Sequence, residues 1–423
     1  MLWAAVVTSA VLWPQWWPLD SRTGIEAAPF FAHWEWHGRG WLLLAAAIGA
    51  ALIVLLAPAL DHLRSRWVPT AAGAVAAGWA TLVAVCGDGW DRLASPLRSV
   101  HVEYLPFAGS IDIGDFLGTF VEQAERYPTH VKSHPPGMVL LLWAMDRVGL
   151  GGIRWEAALV LAGWAIAVGC VVWTVGEVAG DRAVAMRRAA PFAALCPGVV
   201  FAATTADAFF AGVAAAGIAL SVAAVGRSAR RSDVMALAAG LTWGAAIHLS
   251  YGLVPLLAVP LALAAARRRL RPLVIMALAG GAVSAAFVAG GFWWFDGLAA
   301  THRFYYDGLA RLRPYEYFVY AGNLGALALA AGPAFGAGAG RVAAVVRRRP
   351  AFALAGALTV ALIAADLSGM SKAETERIWL PYIVWAAAAG GWAANRSRST
   401  ARLWLGGSVL LTLFLESWLV TPW

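Results

Sequence analysis

Long apolar runs alternate with short polar turns along the whole chain. A helix of about 20 apolar residues crosses the hydrocarbon core of a bilayer, so each run is a candidate membrane span. The pattern predicts an all-α fold: a polytopic transmembrane helical bundle of about 13 spans that forms one transmembrane domain over residues 1–423, with no separate soluble domain. The predicted spans are 1–19, 41–60, 69–86, 155–176, 189–203, 206–225, 234–247, 251–266, 272–294, 321–340, 351–366, 379–394 and 403–420.

Residues 87–137 form the longest polar segment, and they hold seven of the 24 acidic residues. The apolar run that follows, 138–149, is too short to cross a core of about 30 Å, and Asp146 and Arg147 interrupt it. It is predicted as a juxtamembrane or re-entrant helix. The sequence therefore predicts a long extracytoplasmic loop that contains juxtamembrane helices and carries the active site.

The composition agrees with a membrane protein. Hydrophobic residues make up 61% of the chain and charged residues 13%, against roughly 25% charged in soluble domains. The three cysteines have no CxxC spacing, so neither a zinc site nor a disulfide framework is indicated. Residues 1–19 have no basic start and no clear cleavage site, so they are interpreted as a retained first span.

Basic residues give the predicted orientation. Nineteen of the 32 lie in six short clusters between predicted spans, which are typical of cytoplasmic loops. These clusters are Arg64/Arg66, Arg182/Arg187/Arg188, Arg227/Arg230/Arg231, Arg267/Arg268/Arg269/Arg271, Arg341/Arg347/Arg348/Arg349 and Arg396/Arg398/Arg402. Thirteen crossings of the plasma membrane, with a cytoplasmic N-terminus and an extracytoplasmic C-terminus, put every cluster inside. The net charge of +8 thus comes from orientation signals and does not indicate nucleic-acid binding.

The same topology collects most remaining ionisable residues on the outer face, including the only two lysines, Lys132 and Lys372. Ionisable groups close to a bilayer are costly and tend to be functional. A carboxylate there could act as a general base on an acceptor hydroxyl, and cations could bind a phosphate leaving group.

Three carboxylates of the long loop are candidates for the catalytic base: Glu103, Asp112 and Asp115. Asp112 and Asp115 are three residues apart and share a face if that stretch is helical. The alternative is structural: Asp112 caps a short interfacial helix and Asp115 lies in its first turn. The sequence does not choose among the three.

Lys132 and His134 precede Pro135 and Pro136, which favour a rigid, extended entry into the next helix. Lys132 and His134 are candidate substrate-binding residues, or else surface residues at a proline-initiated helix. His130 is predicted to lie on the surface.

Six further residues on the predicted outer face are candidates for substrate binding, and each has a structural alternative. Asp207 could be a helix N-cap, His248 a structural residue in a turn, and Arg313 part of an aromatic belt. Lys372, Glu376 and Arg377 could form a salt-bridged cap together with Glu374. The six are Asp207, His248, Arg313, Lys372, Glu376 and Arg377.

Four features resemble the GT-C superfamily of integral-membrane glycosyltransferases. They are the acidic first large loop with Glu103, Asp112 and Asp115, the Lys132–Gly137 segment KSHPPG, Pro197 ahead of Asp207, and the charged late loop from Lys372 to Arg377. The Ala-, Trp- and Arg-rich, Lys-poor composition is similar to that of actinobacterial proteins. The chain differs from the usual pattern because two additional spans precede the acidic loop and no large soluble C-terminal domain is predicted.

The resemblance implies a glycosyltransferase that takes a sugar from a polyprenyl-phosphate donor and transfers it to a glycan, lipid or protein of the cell envelope. It implies an acidic base in the first loop, and cations near the Pro-Pro entry and in the late loop that contact the lipid phosphate. Some relatives use a divalent metal ion, but no ligand spacing in this sequence requires one.

A transporter or flippase for a lipid-linked envelope precursor is the alternative, since polar outer cavities occur there too. Alternating access usually involves paired repeats or charges near the midplane, and the sequence shows neither. A scaffold protein would explain the topology but not the predicted clustering of acids, histidines and cations.

Overall fold

The computed structural model describes residues 1–17, 19, 23–38, 40–226, 229–345, 349–393 and 397–422. The predicted cluster members Arg227, Arg347, Arg348 and Arg396 lie outside the described residues. The described chain is almost entirely helical. Its longer helices are Leu2–Trp16, Trp41–His62, Val68–Asp88, Gly137–Arg147, Ile153–Val178, Arg182–Ala194, Ala206–Gly226, Ala229–Leu249, Ala258–Arg267, Leu270–Ala289, Trp294–Asp307, Asn323–Ala331, Ala334–Val345, Arg349–Leu367, Leu380–Ala389 and Arg398–Trp418. One two-residue antiparallel pair joins His33–Trp34 to Leu419–Val420.

Six helical segments in the described chain are long and apolar enough to span a membrane. They are Trp41–His62, Ser65–Cys86, Ile153–Val178, Ala206–Gly226, Leu270–Ala289 and Pro350–Leu367. A seventh is obtained if Tyr315–Ala331 and Ala334–Ala343, which meet at an angle of 96°, count as one span. The molecule is therefore a helical membrane protein, but the predicted count of 13 spans is not confirmed.

Several predicted spans are short or broken helices. Arg182–Ala194 has 13 residues and Leu380–Ala389 has 10, so at 1.5 Å per residue they are about 20 Å and 15 Å long. The first ends just ahead of Pro197, which cannot continue a helix, and the second ends at Gly390 and Gly391. The apolar residues from Ala189 onward and those of Leu380–Ala389 mark both segments as buried, but they do not fix the length of the helices.

Small residues let the central helices approach closely. Helix Ile153–Val178 packs on Ala206–Gly226 where Gly163 meets Gly212, and a Cβ atom on Gly212 would lie 2.4 Å from the Gly163 carbonyl oxygen. Such contacts between small residues are how membrane helices associate, since lipid is as apolar as leucine.

Arginines of different clusters meet at one end of the bundle. Arg187 donates to the carbonyl oxygens of Leu60 and Leu63 at 3.0 and 2.9 Å, and Arg398 pairs with Asp61 at 2.8 Å. These contacts join the end of helix Trp41–His62 to the beginnings of two others, as expected if the clusters share one membrane face.

The long polar segment is folded into short helices around an aromatic core. The helices are Leu105–Ala108, Ile113–Gly118, Phe120–Gln123 and Thr129–Ser133. The rings of Phe107, Phe116 and Phe120 surround that of Tyr127, with centroids 5.0 to 5.6 Å from it. The folded segment of residues 87–137 is called the cap below. Its two ends are joined because Thr129 N donates to His101 O at 3.0 Å and His130 N donates to Val102 O at 2.8 Å. Glu103 therefore lies beside the segment that leads into helix Gly137–Arg147.

Candidate active site at the loop end of the bundle

Arg377 lies at the centre of a buried polar network. Its side chain is held in the one-turn helix Thr375–Ile378, directly ahead of helix Leu380–Ala389, and the residue is 4% exposed. One terminal nitrogen donates to Asp207 Oδ2 at 2.6 Å. The other donates to Glu374 Oε2 and to His130 Nε2, the latter at 3.0 Å. The late loop, the start of helix Ala206–Gly226 and the long loop thus meet at one guanidinium.

His130 connects Arg377 to Glu103. Its Nδ1 lies 3.1 Å from Glu103 Oε1, and both residues are buried. A guanidinium has only donors, so Nε2 of His130 must accept from Arg377 and the ring proton must sit on Nδ1, facing Glu103. The network therefore sets the tautomer of His130 and presents an N–H to the Glu103 carboxylate.

A second arginine supports Glu374. Arg313 Nη1 lies 3.7 Å from Glu374 Oε1 and donates to Lys372 O at 2.8 Å. Burial alone would raise the pKa of Glu374, but the positive charges of Arg377 and Arg313 hold it below its ordinary value. Glu374 is therefore an ionised partner in this network.

Lys372 and Glu376 are buried beside the network and bound to backbone groups. The Lys372 ammonium donates to Ala310 O at 2.8 Å and lies over the rings of Tyr305 and Tyr306. Glu376, which is 0% exposed, accepts from Phe31 N at 3.2 Å. Burial, with a further contribution from Glu374, raises the pKa of Glu376 to about 7. Both side chains tie the late loop to neighbouring segments.

His134 and Lys132 lie next to Glu103 and His130. His134 Nδ1 donates to His130 O at 3.1 Å, and its ring faces those of Tyr104 and Phe210. Burial lowers the pKa of His134 to about 4, so its ring is neutral at pH 7. Lys132 is half-buried, and its carbonyl oxygen accepts from Thr301 at 3.1 Å.

The structure brings together Glu103, Asp207 and Arg377, with Arg313, Lys372 and Glu376 around them. It places Asp112 and Asp115 elsewhere. Both are exposed, and Asp112 Oδ1 accepts from Gly114 N at 3.0 Å and Asp115 N at 3.1 Å. The structural alternative for this pair is confirmed: Asp112 is an N-cap and Asp115 lies in the first turn.

His248 also has a structural role. Its Nδ1 donates to Gly244 O at 2.8 Å, and its ring stacks on Phe287 with centroids 3.9 Å apart. These contacts hold the end of helix Ala229–Leu249 and leave His248 outside the Arg377 network.

The prediction that His130 lies on the surface is wrong. The residue is 6% exposed because the two ends of the long loop close on each other and enclose it. One signal in the sequence was its spacing from His134, since residues four apart lie on the same face of a helix. Glu156, buried at the start of helix Ile153–Val178, was also missed.

No protein-family model matches the chain, and no curated protein is significantly similar to it. The GT-C resemblance therefore rests on the motifs named above. Among the described residues, no three His, Cys, Asp or Glu side chains are placed to hold one metal ion.

Proposed function

We propose that the protein is a GT-C-type glycosyltransferase of the plasma membrane. It moves a sugar from a polyprenyl-phosphate donor to a cell-envelope acceptor at the extracytoplasmic face. The observation that carries this proposal is the convergence of Glu103, Asp207 and Arg377, from three distant segments, on one buried network. A buried ionic network adds little net stability to a helical bundle. We therefore interpret this network as part of a catalytic site.

The proposed orientation follows from charge. The network lies at the ends of helices whose opposite ends carry the arginine clusters, which the positive-inside rule places in the cytoplasm. The chain then crosses the membrane thirteen times, with the N-terminus inside and the C-terminus outside. In this arrangement the shorter helices Arg182–Ala194 and Leu380–Ala389 each cover only part of a crossing, and the non-helical backbone that follows them is buried in protein.

Glu103 is the proposed catalytic base. It removes the proton of an acceptor hydroxyl while the hydroxyl oxygen bonds to the sugar carbon, and the bond from that carbon to the lipid phosphate breaks with its electron pair leaving on phosphate. His130 and Arg377 position Glu103. Lys132 is the proposed phosphate contact, because Arg313 and Lys372 are already bound to carbonyl oxygens.

The test is a transfer assay with purified protein, a panel of polyprenyl-phosphate sugars and a cell-envelope extract as the source of acceptors. We expect turnover by the wild type and a loss of about 100-fold or more in Glu103→Gln, since general-base catalysis contributes roughly 10²–10⁴-fold.

Asp112→Asn and Asp115→Asn are the matched controls, because they change carboxylates of the same loop that lie outside the network. Both should retain activity, and circular dichroism and gel filtration should show that all variants are folded. Full activity of Glu103→Gln alongside loss in either control would reject Glu103 as the base.

One observation favours transport of a lipid-linked precursor as a second function. Helix Tyr315–Ala331 meets Ala334–Ala343 at 96°, and broken helices of this kind line the binding sites of many transporters. Movement of a labelled headgroup across a liposome bilayer, without turnover of any donor, would establish this function in place of the first.

A further inference from the structure

Two consecutive helices, Ala334–Val345 and Arg349–Leu367, line a large groove at the arginine end of the bundle. The first helix packs on Leu380–Ala389 and the second on Ala258–Arg267, so they have different neighbours on either side of the groove. The groove contains about 1180 Å³ of free space, whereas a typical small-molecule pocket has roughly 300–1,000 Å³. The space is therefore large enough for a long chain molecule.

The interior of the groove is apolar. Among the described residues that line it, four carry a charge or a hydroxyl group: Asp181, Arg188, Thr359 and Tyr382. The Thr359 hydroxyl donates to Ala355 O at 2.9 Å, and the Tyr382 hydroxyl donates to a backbone oxygen at 3.4 Å. A water molecule inside a protein needs several polar partners, and the two charged residues lie at one end only. A hydrocarbon chain therefore suits this interior better than water does.

One stripe of helix Arg349–Leu367 opens the groove towards the lipid. Phe352, Gly356 and Thr359 line the groove and are exposed, and residues four and three positions apart lie on one face of a helix. Within the described structure, a Cβ atom on Gly356 would meet open space. A chain can thus enter the groove sideways from the bilayer.

The length of the groove matches one leaflet of a bilayer. Its lining extends along helix Arg349–Leu367 from Ala351 to Leu362, which at ~1.5 Å per residue is about 16 Å. The hydrocarbon core of a bilayer is about 30 Å thick, so one leaflet contributes about 15 Å. This length is that of an acyl chain in the leaflet on the arginine side.

Two arginines lie where the headgroup of such a lipid would be. Arg188 lines the groove at its arginine end, and a guanidinium has enough donors to bind phosphate oxygens while it keeps other contacts. Arg341 donates to the backbone oxygen of Trp392, another lining residue, at 3.3 Å. Both cations therefore lie at the mouth of the groove.

The acids at this end are already bound. Asp181 lines the groove, and its carboxylate caps helix Arg182–Ala194 by accepting from a backbone N–H. Glu177 pairs with Arg182 at 2.8 Å. The balance of charge at the mouth is therefore positive, and basic pockets between membrane helices are typical binding sites of phospholipid headgroups.

We propose that this groove binds a phospholipid of the leaflet on the arginine side. One acyl chain lies along Phe352, Gly356 and Thr359, and the phosphate contacts Arg188. This site does not depend on the proposed transferase function, because its mouth lies at the end of the bundle opposite to the Arg377 network.

Native mass spectrometry of the delipidated, full-length protein in detergent, titrated with dioleoylphosphatidylglycerol, tests the site. The wild type should bind one molecule tightly. Gly356→Leu should weaken binding about tenfold or more, because its side chain occupies the space of the acyl chain. Gly281→Leu is the matched control and should bind like the wild type. Gly281 is also exposed in a spanning helix, with open space at its Cβ position, but lies outside the groove.

Arg188→Gln tests the contact with the phosphate. It should weaken binding of phosphatidylglycerol about tenfold and leave binding of dioleoylglycerol, which has the same chains and no phosphate, unchanged. Arg402→Gln changes an exposed arginine of the same end outside the groove, and it should change neither affinity.

Thermal unfolding gives a second measurement. Phosphatidylglycerol should raise the unfolding temperature of the wild type and of Gly281→Leu but not that of Gly356→Leu, since a ligand that binds only the folded state stabilises it.

Three results would overturn the proposal. The first is equal binding of phosphatidylglycerol by Gly356→Leu and Gly281→Leu. The second is equal affinity of the wild type for phosphatidylglycerol and dioleoylglycerol. The third is tighter binding of a polyprenyl phosphate that Gly356→Leu also weakens, which would assign the groove to the donor lipid. None of these measurements involves sugar transfer, so the site and the proposed function can fail separately.

Discussion

At the scale of single residues, Arg377 combines roles that no other side chain could fill. It contacts two carboxylates and an imidazole at once, which requires the planar, five-donor geometry of a guanidinium. Asp207 and His130 come from distant parts of the chain, and Glu374 directly precedes the helix that contains Arg377. The charges are taken out of water together, so they depend on one another.

Removing Arg377 should be strongly destabilising. Arg377→Gln leaves Asp207 buried without its cation and leaves Glu374 with Arg313 alone, and breaking a buried pair from one side costs about 3–5 kcal/mol. Arg377→Lys should also destabilise the protein, though less than Arg377→Gln does. An ammonium keeps the positive charge but lacks the fork geometry of a guanidinium. Thermal unfolding of the purified protein in detergent measures both.

Arg398→Gln is the control for this prediction, because Arg398 is 70% exposed and pairs with Asp61 in contact with solvent. Loss of such a pair costs about 0–1 kcal/mol. Equal destabilisation by Arg377→Gln and Arg398→Gln would contradict the central role of Arg377.

Sequence spacing predicted some of the candidate site. The Asp112–Asp115 spacing allowed either a catalytic base or a helix cap, and the structure confirms the cap, which depends only on local geometry. The burial of His130 and its contact with Arg377 could not be predicted in the same way. They arise from residues 247 positions apart in the chain, brought together by the closure of the long loop.

At the scale of elements, the long loop is a folded cap, and one glycine fixes its junction with the bundle. Pro135 and Pro136 lead into helix Gly137–Arg147, and Gly137 packs directly on the end of helix Ala229–Leu249. A Cβ atom there would lie 2.2 Å from the backbone oxygen of His248. Backbone cannot yield as a flexible side chain does, so this contact requires glycine.

Gly137→Ala should therefore destabilise the protein by about 1–3 kcal/mol, the usual cost of overpacking, and loosen the cap. Gly109→Ala is the control, because Gly109 has an ordinary φ of −70° and open space around its missing Cβ. Hydrogen exchange of the cap should quicken in the first variant only. Equal hydrogen-exchange rates of the cap in Gly137→Ala and Gly109→Ala would show that the junction tolerates a side chain.

The positions of the apolar helices could be predicted from the sequence, but the places where the helices end or bend could not. Hydropathy located the apolar segments, and six helical segments have the length and composition of spans. It could not show where Pro197 and Gly390 end short helices inside the bundle, or that Gly332, at φ +91°, lies at a 96° bend. Those features depend on contacts with neighbouring helices.

At the scale of the whole molecule, the two ends of the bundle differ in chemistry. One end joins Arg187 and Arg398 to Asp61, and the other contains the network of Glu103, Asp207 and Arg377. If the arginines are cytoplasmic, as the positive-inside rule predicts, the network lies on the outer face, where the donor and acceptor of the proposed reaction would meet.

This orientation predicts the labelling of two introduced cysteines. Ser110→Cys lies on the exposed cap and Ser399→Cys on the exposed arginine end, and both replacements preserve side-chain size. In intact cells, a membrane-impermeant maleimide should label Ser110→Cys and should reach Ser399→Cys only after permeabilisation. The native Cys86 and Cys196 are buried and Cys170 is half-buried, so labelling of the wild type is subtracted as the background. The reverse pattern would place the network in the cytoplasm, where the acceptors of the proposed reaction are not found, and would exclude the proposed function.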